Sequence, residues 1–217
     1  MPPSAKLVDL RALLATRFPE KIRRPGGLVA TGARQVDEAL HGGLPLSRTT
    51  ELVSTLPGCG GQSLLLRLLA STRAARQRLA LVDAADAFAP EDLPADLLRH
   101  LVWVRPSSAG QSLAAADLLA RDGNYTVLAL DVRGLPEREL RRLPSSLWYR
   151  LQRAVEDSSL ALLVLSPFPL VPSVSLRLSL SRPFSLAHHR TPSTSLADSL
   201  APSLERGFSA TPAAAAG

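Results

Sequence analysis

The chain has 217 residues, of which 46% are hydrophobic and only 4% aromatic, so its length and composition favour one folded domain with an aliphatic core and exclude a largely disordered protein. Its formal net charge of +6 is compatible with nucleic acid or an acidic protein as a partner. Cys59 is the only cysteine, which excludes a disulfide framework, and no apolar run is long enough for a signal peptide or a membrane span. We therefore expect a cytoplasmic protein that does not contact a membrane.

The first predicted element is an amphipathic helix within residues 1–20. Leu7, Leu10 and Leu14 recur there at helical spacing, with charged residues between them. We expect this apolar stripe to pack on the chain's own domain. Self-association through the same three leucines is the alternative.

Between residues 21 and 182, short apolar strands alternate with helices. Strands are predicted at 51–53, 78–83, 101–104, 125–130 and 160–165, and helices at 31–40, 64–75, 111–121 and 140–156, the last one interrupted at Pro144. This alternation predicts an α/β fold whose mostly parallel sheet carries helices on both faces. Residues 173–181 alternate between apolar and polar side chains, which predicts one antiparallel strand at a sheet edge.

The last segment, residues 183–217, is rich in Ser, Pro and Ala. Such a composition cannot bury much apolar surface, so this tail is predicted to be mostly disordered. The predicted organisation is therefore an N-terminal helix at 1–20, an α/β core at 21–182 and a tail at 183–217.

A degenerate phosphate-binding loop lies between the strand at 51–53 and the helix that follows it. The intact pattern is G-x-x-x-x-G-K-[ST], in which the lysine contacts the outer phosphates and the hydroxyl binds Mg²⁺. Here Gly61 and Ser63 are kept, but Leu56 replaces the first glycine and Gln62 replaces the lysine. A tight strand-to-helix turn without any ligand is the competing explanation of the glycines.

Two predicted strands end in an aspartate, Asp83 and Asp131. Because ligands of parallel sheets bind at the carboxyl ends of the strands, we expect these aspartates to lie near the loop. Mg²⁺ would have only Ser63 and Asp131 as ligands, and only if a Mg-nucleotide binds; no other metal site is expected. The predicted nucleotide-binding remnant consists of Pro57, Gly58, Cys59, Gly60, Gly61, Gln62, Ser63 and Asp131.

The order of these motifs resembles the RecA recombinase family. Residues 31–45 resemble the segment before the RecA phosphate loop, residues 83–90 the strand end that carries a catalytic Glu, and residues 128–131 the Walker B strand. The resemblance covers about residues 28–166 and implies a RecA-like P-loop fold. Ala85 occupies the position of the catalytic Glu, and the γ-phosphate-sensing Gln is replaced near Ser166. With Gln62 in place of the lysine, the resemblance implies no catalytic residues and no required cofactor, with ATP and Mg²⁺ bound weakly at most.

Among RecA-like proteins the chain is most similar to the ImuA family, accessory proteins of bacterial damage-induced mutagenesis. The similarity lies in the lysine-free loop at 56–60, the Arg-rich helix start at 138–143 and the strand at 172–178. Membership implies an inactive adaptor for translesion synthesis in the SOS response. Its partners would be a translesion polymerase homologue and an error-prone replicative-type polymerase.

Two alternatives to an adaptor remain open at this stage. One is a weakly active, RecA-like, DNA-dependent ATPase in recombination and repair. The other is a DNA-binding module without hydrolysis. In the second case the DNA or partner contacts would come from Arg133, Arg138, Arg141 and Arg142. Glutamates lie among these arginines, so an ordinary solvated helix face is the competing explanation.

Overall fold

The structure is a computed structural model that describes residues 26–206, except residues 92, 173, 186–187 and 189–192. The helix predicted at 1–20, with its leucine stripe, and the end of the tail at 207–217 lie outside the described residues.

The described residues form strands that alternate with helices. The strands are β1 (Gly26–Val29), β2 (Leu44–Leu46), β3 (Arg48–Ser54), β4 (Leu79–Asp83), β5 (Leu101–Val104), β6 (Val127–Asp131), β7 (Ala161–Ser166), β8 (Leu176–Leu180) and β9 (Pro202–Arg206). The helices are α1 (Arg34–Ala39), α2 (Gly61–Ala74), α3 (Ala95–Leu98), α4 (Ala109–Asp122), α5 (Glu137–Leu140), α6 (Ser145–Glu156) and α7 (Ser193–Leu196), the last one continuing into a 3₁₀ turn at Ala197–Ser199. The predicted interruption at Pro144 is confirmed, because α5 ends before this proline and α6 begins directly after it.

Seven of the strands form one sheet in the order β5-β4-β6-β7-β3-β8-β9. Its neighbouring strands are parallel except for β8 and β9, which are antiparallel. β1 and β2 form a separate antiparallel pair. The predicted α/β class with a mostly parallel sheet is confirmed.

Helices cover both faces of this sheet, as the alternation of strands and helices predicts. In β4, Leu79 and Leu81 belong to the apolar cluster that contains the leucines of α2, whereas Ala80 and Val82 belong to the cluster that contains Trp148 of α6. Consecutive side chains of a strand point to opposite faces, so the two clusters lie on opposite sides of the sheet. Strands buried on both faces explain the continuous apolar runs in the sequence.

The prediction of an antiparallel edge strand at 173–181 is wrong. β8 lies inside the sheet, where it pairs in parallel with β3 on one side and antiparallel with β9 on the other. The antiparallel edge strand is β9, which falls within the tail predicted to be mostly disordered. The alternation of side chains in β8 indicates one well-buried face, but it does not indicate whether the neighbouring strands are parallel or antiparallel to β8.

β9 has little strand-forming character of its own, since it begins with Pro202 and is largely exposed. Its order comes from pairing with β8, including a hydrogen bond between the hydroxyls of Ser179 and Ser203 at 2.7 Å. Leu200, just before the strand, is buried in the same cluster as α2. The described part of the tail is therefore folded onto the core.

The longest described helices, α2 and α4, have 14 residues each. No helix in the described part of the chain has the length and apolar character needed to cross a membrane.

Candidate functional site

The predicted phosphate-loop remnant forms the turn between β3 and α2, at the carboxyl edge of the sheet. Gly58 and Gly60 have φ angles of +77° and +88°, in the left-handed region that glycine adopts without strain. Gly60 directly precedes Gly61, the first residue of α2. The first N–H groups of a helix have no partner within it, so this turn presents backbone donors to whatever lies above it.

A cavity of about 480 Å³ lies above this turn. We call it the loop cavity. It is lined by residues 54–63 together with Ala87, Asp131, Arg133, Gly134, Pro167 and Phe184. The structure thus brings all the predicted remnant residues, from Pro57 to Ser63 and Asp131, to one place.

An ion pair between Asp131 and Arg133 dominates the loop cavity. Arg133 Nε lies 2.9 Å from Asp131 Oδ1, and Arg133 Nη2 lies 2.6 Å from Oδ2. The backbone N–H of Arg133 also donates to Oδ1, at 3.1 Å. The side chain of Arg133 is 21% exposed and that of Asp131 only 5%. Sequence analysis predicted Arg133 as a DNA or partner contact, but its guanidinium is directed inward and held by two parallel hydrogen bonds.

The guanidinium of Arg133 lies directly on the start of α2. A Cβ atom added to Gly61 would lie 1.7 Å from Arg133 Nη1. Any side chain at position 61 would therefore displace the guanidinium. In an intact phosphate loop, the backbone N–H groups of this turn face the phosphates.

A Mg²⁺ ion does not fit the residues present. Mg²⁺ binds oxygen ligands in near-octahedral geometry, and a phosphate loop supplies a hydroxyl and a carboxylate for it. Ser63 is available in the wall of the loop cavity, but both oxygens of Asp131 are engaged by a guanidinium. Elsewhere in the described chain, no three His, Cys, Asp or Glu side chains are grouped so as to hold a metal ion.

The position that would carry the catalytic Glu is packed against the loop after β6. Ala85 contacts Gly134, since a Cβ atom added to Gly134 would lie 2.2 Å from the Ala85 Cβ. The loop after β6 therefore lies against Ala85, where the family pattern would have a carboxylate.

Asp83 ends β4 beside Asp131 in register, but its carboxylate serves the turn that follows. It accepts hydrogen bonds from the N–H groups of Ala87 at 3.0 Å and Phe88 at 2.9 Å. The indole N–H of Trp103 donates to it at 3.3 Å. The prediction that Asp83 lies near the loop therefore holds for its backbone only, because the residue does not line the loop cavity.

A second buried network, which sequence analysis missed, holds the loop after β7. Ser166 Oγ donates to Glu51 Oε1 at 2.9 Å, and the N–H groups of Leu170 and Val171 donate to the same oxygen at 2.7 and 3.1 Å. Arg177 Nε donates to Glu51 Oε2 at 2.7 Å. A glutamate inside the apolar strand at 51–53 was the available signal, because a buried carboxylate requires partners.

The other predicted basic residues lie on or next to α5, away from the loop cavity. Arg138, Arg141 and Arg142 are exposed. Arg141 pairs with Glu137 at 2.6 Å, and its guanidinium lies 4.3 Å from the centre of the Phe168 ring. With Arg133 directed inward, the four arginines do not form one surface.

Tail residues that the sequence did not indicate as part of the site form one of its walls. The N–H of Phe184 donates to the carbonyl oxygen of Gly58 at 2.9 Å. A Cβ atom added to Gly60 would lie 2.4 Å from Leu200 and 2.8 Å from Phe184. The tail therefore packs directly on the phosphate-loop remnant, and only glycine fits between them.

No protein-family model matches the chain, and no curated protein is significantly similar to it in sequence. The loop cavity combines apolar side chains with hydrogen-bond donors around one carboxylate, Asp131, which Arg133 neutralises.

Proposed function

We propose that this chain is a catalytically inactive RecA-like accessory protein that acts through protein partners in bacterial translesion synthesis. The observation that carries the proposal is the Asp131–Arg133 ion pair seated on Gly61. The order of motifs in the sequence and the mostly parallel sheet support the RecA-like part. The role in the DNA damage response and the cytoplasmic location rest on the resemblance to the ImuA family.

The ion pair argues against ATP hydrolysis because of what phosphoryl transfer needs. Catalysis requires positive charge on the outer phosphates, a bridging metal ion and a group that orients the attacking water. Gln62 lacks the charge of the lysine, Asp131 is engaged by Arg133, and Ala85 cannot orient water. The same facts disfavour the alternative of a weakly active DNA-dependent ATPase.

The proposal is tested first by ATP turnover, measured with Mg²⁺ and with or without single-stranded DNA. We expect the wild-type chain and the Asp131→Ala variant to show the same background rate. Turnover by the wild-type chain that Asp131→Ala abolishes would overturn the proposal in favour of the ATPase.

The adaptor role requires a second measurement on the same two proteins. We expect the wild-type chain to co-purify with a translesion polymerase homologue from the same bacterium, with or without ATP. Asp131→Ala changes a residue of the loop cavity, so this variant should keep the complex as long as circular dichroism shows that it keeps the wild-type fold. If purified chain and polymerase homologue form no complex, the adaptor proposal fails.

A further inference from the structure

The unpartnered polar groups of the loop cavity are hydrogen-bond donors. Ser54 Oγ and Gln62 Nε2 are fully buried, yet neither has a hydrogen-bond partner among the described residues. Ser54 is only 8% exposed, and both residues line the loop cavity. Buried polar groups are nearly always paired, so two unpaired donors in residues that line one cavity point to a ligand with acceptor atoms.

Arg133 contributes a third donor that faces the same space. Its Nε and Nη2 atoms are held by Asp131, which fixes the plane of the guanidinium. Nη1 is left facing Gly61 and the first turn of α2. A 14-residue helix also concentrates its own unpaired N–H groups and the positive end of its dipole there.

The only carboxylate among the described residues that line the loop cavity is Asp131, and Arg133 neutralises it. A cation would therefore meet a guanidinium and a helix N-terminus. An oxyanion would instead meet the N–H groups of the loop, Arg133 Nη1, Ser54 Oγ and Gln62 Nε2. A tetrahedral phosphate group matches this set of donors in both charge and number of acceptor atoms.

We propose that the loop cavity binds a phosphoryl oxyanion without a divalent metal ion, with the Arg133 guanidinium acting in place of both the missing lysine and Mg²⁺. The inference rests on the proposed function, since it treats the cavity as a site of binding without hydrolysis. The phosphoryl group can belong to free diphosphate or to a nucleotide. A volume of about 480 Å³ accommodates either ligand.

The test is calorimetric titration of the full chain with diphosphate and with ATP, each in EDTA and in Mg²⁺. We expect both ligands to bind in EDTA at least as tightly as in Mg²⁺, and more weakly as the salt concentration rises. Equal affinities would assign the site to the phosphoryl group alone, and tighter binding of ATP would assign it to a nucleotide. Binding that requires Mg²⁺, or no binding of either ligand, would overturn the inference.

Three variants locate the site. Arg133→Met should weaken binding in EDTA by about tenfold or more, because it removes a charge-assisted hydrogen bond. Arg121→Met is the matched control, since Arg121 also pairs with an aspartate on its own segment but lies on the exposed face of α4. This variant should bind both ligands with the wild-type affinity. Arg133→Met leaves Asp131 unpaired and could unfold the chain, so Gly61→Ala is the second test.

Gly61→Ala keeps both charges and suits a helix, yet its methyl group must displace Arg133 Nη1. It should also weaken binding about tenfold. Unchanged affinity in either variant would overturn the inference. The two proposals fail separately, because turnover in Mg²⁺ overturns the inactive adaptor, whereas absence of both turnover and binding in EDTA overturns only the oxyanion site.

Discussion

Three acidic side chains of the sheet, Glu51, Asp83 and Asp131, are buried, and each is fully committed to the structure. Backbone N–H groups and an indole hold Asp83, whereas arginines hold Glu51 and Asp131. Burying a carboxylate is costly unless it is paired and hydrogen-bonded, so these partners are a condition of the fold. The same commitment removes each acid as a general base or a metal ligand. At the scale of single residues, the proposed inactivity and the stability of the fold therefore share one structural basis.

The Glu51–Arg177 pair yields a prediction about stability. Arg177→Met should lower the free energy of unfolding by about 3–5 kcal/mol, because it leaves a buried carboxylate without its cation. Urea unfolding of the variant against the wild-type chain measures the loss. Arg182→Met, at an exposed position shortly after β8, is the matched control and should change stability by less than about 0.5 kcal/mol. Equal effects of the two substitutions would contradict the network around Glu51.

At the scale of elements, short segments are fixed by side chains from longer ones. α3 has only four residues and buries none of them, so it cannot be stable alone. It is linked to the end of α2 by a bidentate pair, with Arg73 Nε and Nη2 at 2.8 and 2.6 Å from the carboxylate oxygens of Asp96. The hydrogen bond from Arg73 lowers the pKa of Asp96 below its ordinary value of 3.8.

The lowered pKa of Asp96 predicts a pH dependence with a definite sign. A carboxyl group with a lower pKa in the folded state stabilises the fold above its unfolded pKa, and this contribution is lost as the pH falls through the folded pKa. Asp96→Asn should therefore reduce the melting temperature slightly at neutral pH, as expected for an exposed pair, and its difference from the wild-type chain should shrink as the pH falls below 3.8. Melting curves across this range check it. A difference that grows on acidification would refute the assignment to Asp96.

At the scale of the whole molecule, local sequence signals were sufficient for the parallel sheet and insufficient for its edge and its site. Strands such as 127–131 are apolar throughout because both faces are covered, and the flanking helices are visible from their own periodicity. β9 carries no such signal, since its order depends on β8 and Leu200. The inward direction of Arg133 was equally hidden, because an arginine in a charged segment is usually on the surface. The one hint in the sequence was Asp131, two residues earlier, which could serve as a buried partner for this arginine.

The packing of the tail on the core predicts that residues 193–206 unfold together with the sheet. Leu200 is 3% exposed within the cluster around α2, so Leu200→Ala should cost about 2–5 kcal/mol. Trp103 packs against this cluster and Trp148 belongs to the one on the opposite face. In variants that keep only one of these tryptophans, urea unfolding followed by fluorescence should show a single transition. Leu200→Ala should lower its midpoint by the same urea concentration for both tryptophans.

Leu204→Ala provides the control on the same edge of the sheet, because Leu204 lies in β9 but is 46% exposed. It should change the free energy of unfolding by less than about 1 kcal/mol. If Leu200→Ala left both tryptophan transitions in place, the tail would be a separate unit resting on the core. One shared transition would instead make the wall of the loop cavity as stable as the sheet, since Phe184 and Leu200 both contact Gly60. The proposed oxyanion site would then be formed in advance of its ligand, which favours binding without a large rearrangement.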